Sequence, residues 1–330
     1  MTRTDRRSFL QTSLGGLAGL ASVPLLGGLE GCQQAPTRQA GTAAAAERTT
    51  RTTPLPIAKL TDRVSIITGA PGNVVVLTST NPVVLVDSGS AELAGGVRAS
   101  LAGATVASLI NTHYHDEQTG GNALFGAAGA AILAHEVTRE WLATDYYVPS
   151  EDRWVKALPK VAQPKQTFRD KFELTAGQEH IECGYLLEAH TRGDIYVFFR
   201  DSNVLAVGCV ASPERDPSLD WYAGGWIGGR ADALDDLVKL ANDETKIVPA
   251  YGPVMTRTQL GAERDMMKFL YDQTTTATDH GRDAKDMLDS NLMAQVSQKF
   301  GRTFKDPAKF LYDVSKGNWA HYTNFGGNIV

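Results

Sequence analysis

Cysteine and runs of basic residues are scarce in this sequence of 330 residues. Its three cysteines, Cys32, Cys183 and Cys209, are too few for a fold held by disulfides, so packing must stabilise it. The 32 Lys and Arg residues against 37 Asp and Glu residues give a formal charge of -5, which argues against nucleic-acid binding. With 42% hydrophobic and 21% charged residues, the chain has the composition of a globular protein. Its length is enough for one large domain or two small ones.

The first 32 residues have the pattern of a signal peptide. Arg6 and Arg7 precede an apolar stretch that glycines interrupt too often for a membrane-spanning helix. The pair, followed by Ser8-Phe9-Leu10, is similar to a twin-arginine export signal. We therefore expect a signal peptide over 1–32, a flexible linker over 33–54, and a periplasmic or other extracytoplasmic location.

The sequence Leu29-Glu30-Gly31-Cys32 resembles a lipoprotein cleavage box, in which the cysteine becomes the lipidated first residue of the mature protein. Lipidation at Cys32 and ordinary cleavage between residues 33 and 46 both stay open. We expect contact with a membrane only through the signal peptide or this lipid anchor.

From residue 60 onward, short apolar runs bounded by Gly, Pro, Asn and Ser predict buried strands. They form two groups along the chain: 64–68, 74–78, 83–86, 106–111 and 131–134, then 180–188, 195–200, 204–207 and 246–250. Helical stretches lie between them, at 91–101, 136–143 and 231–241. Two groups of strands with interspersed helices predict an α/β fold of two packed sheets covered by helices.

The chain after residue 256 has a different pattern. Apolar residues recur every four positions from Ala284 to Phe300, which is typical of a helix. Asp306-Pro307 provides a cap and first residue for another helix through Val314. We predict a helical C-terminal extension over 264–330, packed against the sheets or against a second subunit in a homo-oligomer.

Two histidines, His113 and His115, directly follow a predicted strand. Residues two apart in an extended segment point the same way, so the two imidazoles can converge on one metal ion. The pair alone is a weak indication of a metal site.

The sequence around this pair, Asn111 to Asn122, resembles the metal-binding loop of the metallo-β-lactamase superfamily, usually THxHxDHxGGN. Four further stretches come in that superfamily's order: Leu85-Val86-Asp87-Ser88-Gly89 upstream, and 189–194, 205–209 and 247–253 downstream. The resemblance implies a four-layer αββα sandwich over 55–263. Gly224-Gly225-Trp226 and the segment 318–322 are similar to the branch that includes sulfur-oxidation and quinoprotein-relay hydrolases.

The resemblance assigns His113, His115 and His190 as the ligands of a first zinc ion. In this superfamily a water molecule takes the fourth position, and zinc acidifies it to a hydroxide near neutral pH. The hydroxide then attacks an ester-, amide- or thioester-like substrate. The resemblance thus implies an exported, zinc-dependent hydrolase.

The second metal site departs from the superfamily's pattern. Glu117 replaces an aspartate, and Gln118 and Tyr251 each replace a histidine. Cys209 stands where the zinc β-lactamases have a cysteine and most relatives have a bridging aspartate. Three alternatives stay open: one zinc ion on three histidines, a modified pair of zinc or other transition-metal ions that also uses Glu117 and Cys209, or no metal.

With a single metal ion, Glu117 is predicted to act as general base and Tyr251 to donate a hydrogen bond to the developing oxyanion. Equally open is that Glu117 is a solvated loop residue and that Tyr251 only fills the second site. The resemblance implies that Asp87 and Asp194 orient loops or ligand imidazoles.

We expect Trp154, Trp226 and Gln118 to line a pocket for a small substrate that is partly apolar or aromatic. Two other functions stay open. One is a non-catalytic binding protein that retains the pocket, and the other is an iron or copper redox centre that uses Glu117, Cys209 and Tyr251.

Overall fold

The computed structural model describes residues 52–148 and 152–323. The predicted signal peptide, the lipidation site Cys32 and nearly all of the predicted linker lie outside the described residues. In the part of the chain that the structure describes, no helix is both long and apolar enough to cross a membrane.

The described residues form fourteen strands. In chain order these are β1 (Ile57–Lys59), β2 (Val64–Ile67), β3 (Val74–Leu77), β4 (Val83–Val86), β5 (Val106–Ile110), β6 (Ala131–His135), β7 (Tyr146–Val148), β8 (Arg153–Val155), β9 (Gln166–Phe168), β10 (Lys171–Ala176), β11 (Glu179–Tyr185), β12 (Ile195–Phe199), β13 (Val204–Gly208) and β14 (Lys246–Pro249). Seven of them form one sheet in the order β1-β2-β3-β4-β5-β6-β9, and five form a second in the order β10-β11-β12-β13-β14. The strands β7 and β8 form a separate hairpin.

The same residues form nine α-helices. These are α1 (Ala94–Ser100), α2 (Asp116–Thr119), α3 (Asn122–Ala127), α4 (Glu136–Ala143), α5 (Ile227–Leu240), α6 (Arg257–Asp279), α7 (Ala284–Asp289), α8 (Leu292–Phe300) and α9 (Pro307–Thr323). The last four follow the final strand, so the C-terminal part of the described chain is helical.

Apolar side chains from both sheets pack together in a central core. Val75, Val84 and Ile110 of the first sheet are grouped there with Val197 and Phe199 of the second. Burial of this apolar surface is the main favourable contribution to the stability of the sandwich. The strands β3 and β4 have every residue buried, which explains why they are continuous apolar runs in the sequence.

Helices cover the outer face of each sheet. Val97 of α1 and Phe125 of α3 pack on the first sheet. Leu234 of α5 and Met267 of α6 pack on the second, in a cluster that includes Leu205 of β13. The layers are thus helix, sheet, sheet and helix, which confirms the predicted α/β sandwich with a helical C-terminal region.

Several elements differ from the sequence predictions. The strands β1, β7, β8, β9 and β10 were not predicted. The residues of β10 alternate between exposed and partly exposed and so form no apolar run. The predicted helix from Ala284 to Phe300 is two helices, α7 and α8, because Asn291 has a φ of 62° between them. The predicted start of the extension at residue 264 lies within α6, so this helix is shared by the two predicted segments.

We expect replacement of Leu205 by Ala to lower the free energy of unfolding by about 2–5 kcal/mol. The side chain is fully buried between β13 and the helices, and its removal leaves a cavity. Leu187→Ala is the matched control, because Leu187 is 64% exposed. Urea unfolding followed by circular dichroism measures both, and equal losses would contradict the described packing.

Candidate metal centre

The three predicted histidine ligands meet at one point of the structure. His113 and His115 lie between β5 and α2, and His190 lies between β11 and β12. The centroids of the three rings are 4.8, 5.1 and 4.9 Å apart, and each pair of rings is edge-to-face. The fold thus brings together side chains 75 residues apart in the sequence.

In each of the three rings, one nitrogen faces the other histidines and is called inner here, and the other faces away and is called outer. The outer nitrogens of His113 and His115 each contact a neighbouring side chain. Nδ1 of His113 lies 3.1 Å from Oγ1 of Thr112. Nε2 of His115 lies 3.0 Å from Oδ2 of Asp220. A carboxylate can only accept, so the outer nitrogen of His115 carries the hydrogen.

The outer nitrogen of His190 is held by the backbone. Its Nδ1 lies 2.9 Å from the carbonyl oxygen of Ser218, which can also only accept. The same carbonyl accepts a hydrogen bond of 2.8 Å from the buried guanidinium of Arg230. The ring of His190 is therefore fixed in both orientation and tautomer.

The inner nitrogens face one another, and in the neutral rings none of them carries a hydrogen. Nε2 of His113 is buried and has no hydrogen-bond partner among the described residues. Nε2 of His190 and Nδ1 of His115 lie 3.3 Å apart. Buried lone pairs without a partner are costly, and a metal ion that prefers imidazole would satisfy all three. The residues therefore fit a zinc ion.

Cys209 belongs to the same cluster. The ligand atoms of His113, His190 and Cys209 all lie within 4.8 Å of one another. Burial raises the pKa of the Cys209 thiol well above its ordinary value, so without a metal ion the sulfur keeps its proton. The structure thus places Cys209, predicted as a ligand of a second ion, beside two of the three imidazoles.

Electrostatics keeps two of the imidazoles neutral. Burial and the charge of the neighbouring histidines lower the pKa of His113 well below its ordinary value. Burial, His115 and Arg230 lower the pKa of His190 to about 3. Both rings are therefore in the form that binds a metal at neutral pH.

His115 differs because of Asp220. Burial favours the neutral ring, but the hydrogen bond and the charge of Asp220 outweigh it and raise the pKa of His115. Asp220 itself is buried, yet its hydrogen bond with His115 helps to lower its pKa to about 2. Asp220 also accepts a hydrogen bond from Tyr114.

Comparison with known families identifies the fold. Residues 67–252, more than half of the chain, match the family model of the metallo-beta-lactamase superfamily. This chain belongs to the metallo-β-lactamase superfamily. Its match ends before α6, so the last four helices lie beyond the matched region.

Solved structures show the same fold at low sequence identity. A metallo-β-lactamase from Pontibacter korlensis is 18% identical with a TM-score of 0.53, covering 65% of this chain and 99% of its own. The metallo-β-lactamase DIM-1 is 16% identical with a TM-score of 0.54, covering 66% and 99%. The sec-alkylsulfatase Pisa1 from Pseudomonas sp. is 15% identical with a TM-score of 0.57, covering 83% of this chain and 51% of its own.

Two of the three residues that depart from the superfamily's second metal site contact each other. Nε2 of Gln118 donates a hydrogen bond of 3.4 Å to the phenol oxygen of Tyr251. Burial raises the pKa of Tyr251 to about 12, and the guanidinium of Arg215 lies 3.5 Å above its ring. Glu117 is half-buried on α2, close enough that its charge raises the pKa of His115.

The two predicted carboxylates, Asp87 and Asp194, each hold backbone next to a ligand histidine. Asp87 accepts hydrogen bonds of 2.8 Å from the backbone and the hydroxyl of Thr112. Asp194 accepts one of 2.5 Å from the backbone N–H of Thr191. Burial raises the pKa of both carboxyls to about 7.

The two predicted pocket tryptophans lie in other surroundings. Trp154 is 64% exposed on β8 and contacts Tyr147 of the hairpin. Trp226 stacks on His321 at 3.5 Å and donates a hydrogen bond to Asn318, so its ring packs against α9. Only Gln118 of the three predicted pocket residues lies beside the candidate centre.

Asp220 and the carbonyl of Ser218 were not predicted from the sequence. Both lie in a loop with no regular structure, where no spacing rule connects them to the histidines. The one local signal was the glycine motif nearby. A side chain at Gly225 would lie 2.0 Å from the carbonyl oxygen of His190, so only glycine fits there.

We expect Asp220→Asn to weaken zinc binding about 10–100-fold, because the charged acceptor that orients His115 is lost. Competition with a chromophoric chelator measures the affinity. Asp232→Asn is the control, since Asp232 is exposed on α5. Equal affinity of the Asp220 variant and the wild type would remove Asp220 from the centre.

Proposed function

We propose that this chain is an exported, zinc-dependent hydrolase with one metal ion on His113, His115 and His190. The observation that carries the proposal is the buried Nε2 of His113, which has no hydrogen-bond partner in the described part of the chain and faces two further imidazoles with fixed outer nitrogens. Membership of the metallo-β-lactamase superfamily supports hydrolysis as the reaction.

The chemistry divides between the ion and the side chains around it. A zinc ion at this position supplies Lewis acidity toward a substrate oxygen. Glu117 accepts the proton of the attacking water, as a half-buried carboxylate beside the imidazoles. Tyr251, with its raised pKa, stays protonated at neutral pH and donates a hydrogen bond to the developing oxyanion.

The surroundings favour a small substrate with an apolar part and an ester-, amide- or thioester-like bond. Tyr114 packs edge-on against His115 and stacks on Trp141, with centroids 4.6 and 4.9 Å apart. Tyr146 completes this aromatic cluster. On the other side, Oε1 of Gln118 is buried without a partner among the described residues, and so offers an acceptor to a polar substrate group.

A second candidate is a binding protein of the same fold without hydrolysis. The hydrogen bond between Gln118 and Tyr251 favours it, because the two residues bond to each other at positions where the superfamily has metal ligands. The two candidates differ in turnover, not in metal binding.

The proposed location outside the cytoplasm rests on the sequence of residues 1–32. The arginine pair would direct export of the folded chain, and Cys32 would provide an acyl anchor if cleavage occurs before it.

We expect about one zinc ion per chain by elemental analysis of the purified protein, and a loss of that zinc in His190→Ala. The variant removes one of three converging imidazoles. His280→Ala serves as the control, since His280 is exposed. Zinc retained in the His190 variant, or absent from the wild type, would contradict the proposed centre.

We expect Glu117→Gln to lower hydrolysis severalfold or more while the zinc content is unchanged, since a general base contributes about 10²–10⁴-fold. A panel of esters, lactams and thioesters measures turnover, with Glu173→Gln as the exposed control. Unchanged turnover would exclude Glu117 from the mechanism. No turnover by the zinc-loaded wild type would favour the binding protein.

A further inference from the structure

The loop of residues 209–220 supplies the outer partners of two candidate ligands. Its Ser218 carbonyl accepts from His190, and its Asp220 carboxylate accepts from His115. The loop contains no helix or strand. Its conformation must therefore be set by hydrogen bonds from other parts of the chain.

Arg302, between α8 and α9, donates to three backbone carbonyls of this loop. Its guanidinium lies 2.7 Å from the oxygen of Ser212 and 2.6 Å from that of Pro213, and it also contacts the oxygen of Arg215. One rigid, planar group thus fixes the relative positions of three residues.

Asp216 connects the same two segments in the opposite direction. Its carboxylate accepts hydrogen bonds from the backbone N–H groups of Lys305 and Asp306, at 3.0 and 2.7 Å. Because donors and acceptors come from both segments, neither can move alone without breaking hydrogen bonds.

A buried ion pair holds both ends of the loop from the helices behind it. Arg230 of α5 donates to the Ser218 carbonyl and, at 2.9 Å, to the hydroxyl of Ser212. Glu263 of α6 lies 3.5 Å from Arg230 and accepts a hydrogen bond of 2.7 Å from the backbone N–H of Ser212. Loss of either partner would leave a buried charge uncompensated.

Much of this support lies outside the region shared with the superfamily. Glu263, Arg302 and the residues 305–306 all follow residue 252, where the family match ends. The candidate ligands and the loop itself lie inside the match. The C-terminal helices are thus an addition that contacts the residues around the centre.

We propose that the C-terminal segment 301–306 positions the metal centre, with Arg302 as the positioning residue. Arg302 and Asp216 fix the loop, and the loop fixes the rings of His115 and His190. Without Arg302, three carbonyls lose their donor and the loop gains conformational freedom, so the two imidazoles are held less firmly. The proposal rests on the proposed function for the identity of the site.

The test compares Arg302→Ala with Arg282→Ala in the full chain, because Arg282 is an exposed arginine in the turn after α6. Cobalt(II) replaces zinc as a spectroscopic probe. We expect Arg302→Ala to bind cobalt about tenfold more weakly and to shift its visible bands. In the metal-free Arg302→Ala protein, we expect the NMR signals of the ring nitrogens of His115 and His190 to shift or broaden relative to the wild type. The signals of His135 are expected to stay unchanged.

Cobalt affinity, bands and ring signals that match the wild type would overturn the proposal. A wild type that binds no cobalt refutes the proposed function, and the ring signals of the metal-free variants still decide this inference. If Arg302→Ala does not fold, Asp216→Asn decides in the same way. It replaces one of the two carboxylate oxygens that accept hydrogen bonds from the backbone of residues 305 and 306. Arg302→Lys restores one carbonyl contact and is expected to be intermediate.

Discussion

Three inner nitrogens converge at the candidate centre, and that of His113 is buried with no partner among the described residues. In the neutral rings these are lone pairs. The outer nitrogens of His115 and His190 donate to acceptors that carry no hydrogen, and that of His113 donates to the hydroxyl of Thr112, whose own hydrogen goes to Asp87. Lone pairs directed at one another are not stable without a cation or a proton between them. The need for such a cation or proton accounts for the groups that hold the outer side of each ring.

The scaffold holds this arrangement by fixing the outer side of each ring. Asp87, Thr112 and His113 form a chain in which each hydroxyl or ring N–H donates to the next group. Asp220 and Ser218 do the same for the other two rings. All of these groups lie on loops at the ends of strands, where a rigid sandwich positions residues that need not themselves be regular.

Burial made most of the fold predictable from the sequence. Strands such as β3, β4 and β12 are covered on both faces, so they are continuous apolar runs. The same reasoning fails for β10, which has no fully buried residue, and for the break at Asn291, where one left-handed residue divides a regular apolar pattern. The three histidines were predictable because the loop after β5 and the stretch 189–194 after β11 resemble known motifs. Asp220 and Arg302 were not, since a hydrogen bond between distant loops has no spacing in the sequence.

The position of Cys209 decides which ligand set is favoured. Its sulfur lies within 4.8 Å of the ligand atoms of His113 and His190, so distance alone permits a mixed set. The free energy of binding an ion distinguishes the set of three imidazoles from the mixed set that includes the thiol. The neutral rings of His113 and His190 bind without losing a proton, whereas the buried thiol has a raised pKa and must lose one. With Gln118 and Tyr251 in place of two further ligands, a second ion would have few partners beyond that thiol and Glu117. Under the proposed function the imidazole set would bind the first ion, and the thiol would contribute only where the charge of an ion already bound lowers its pKa.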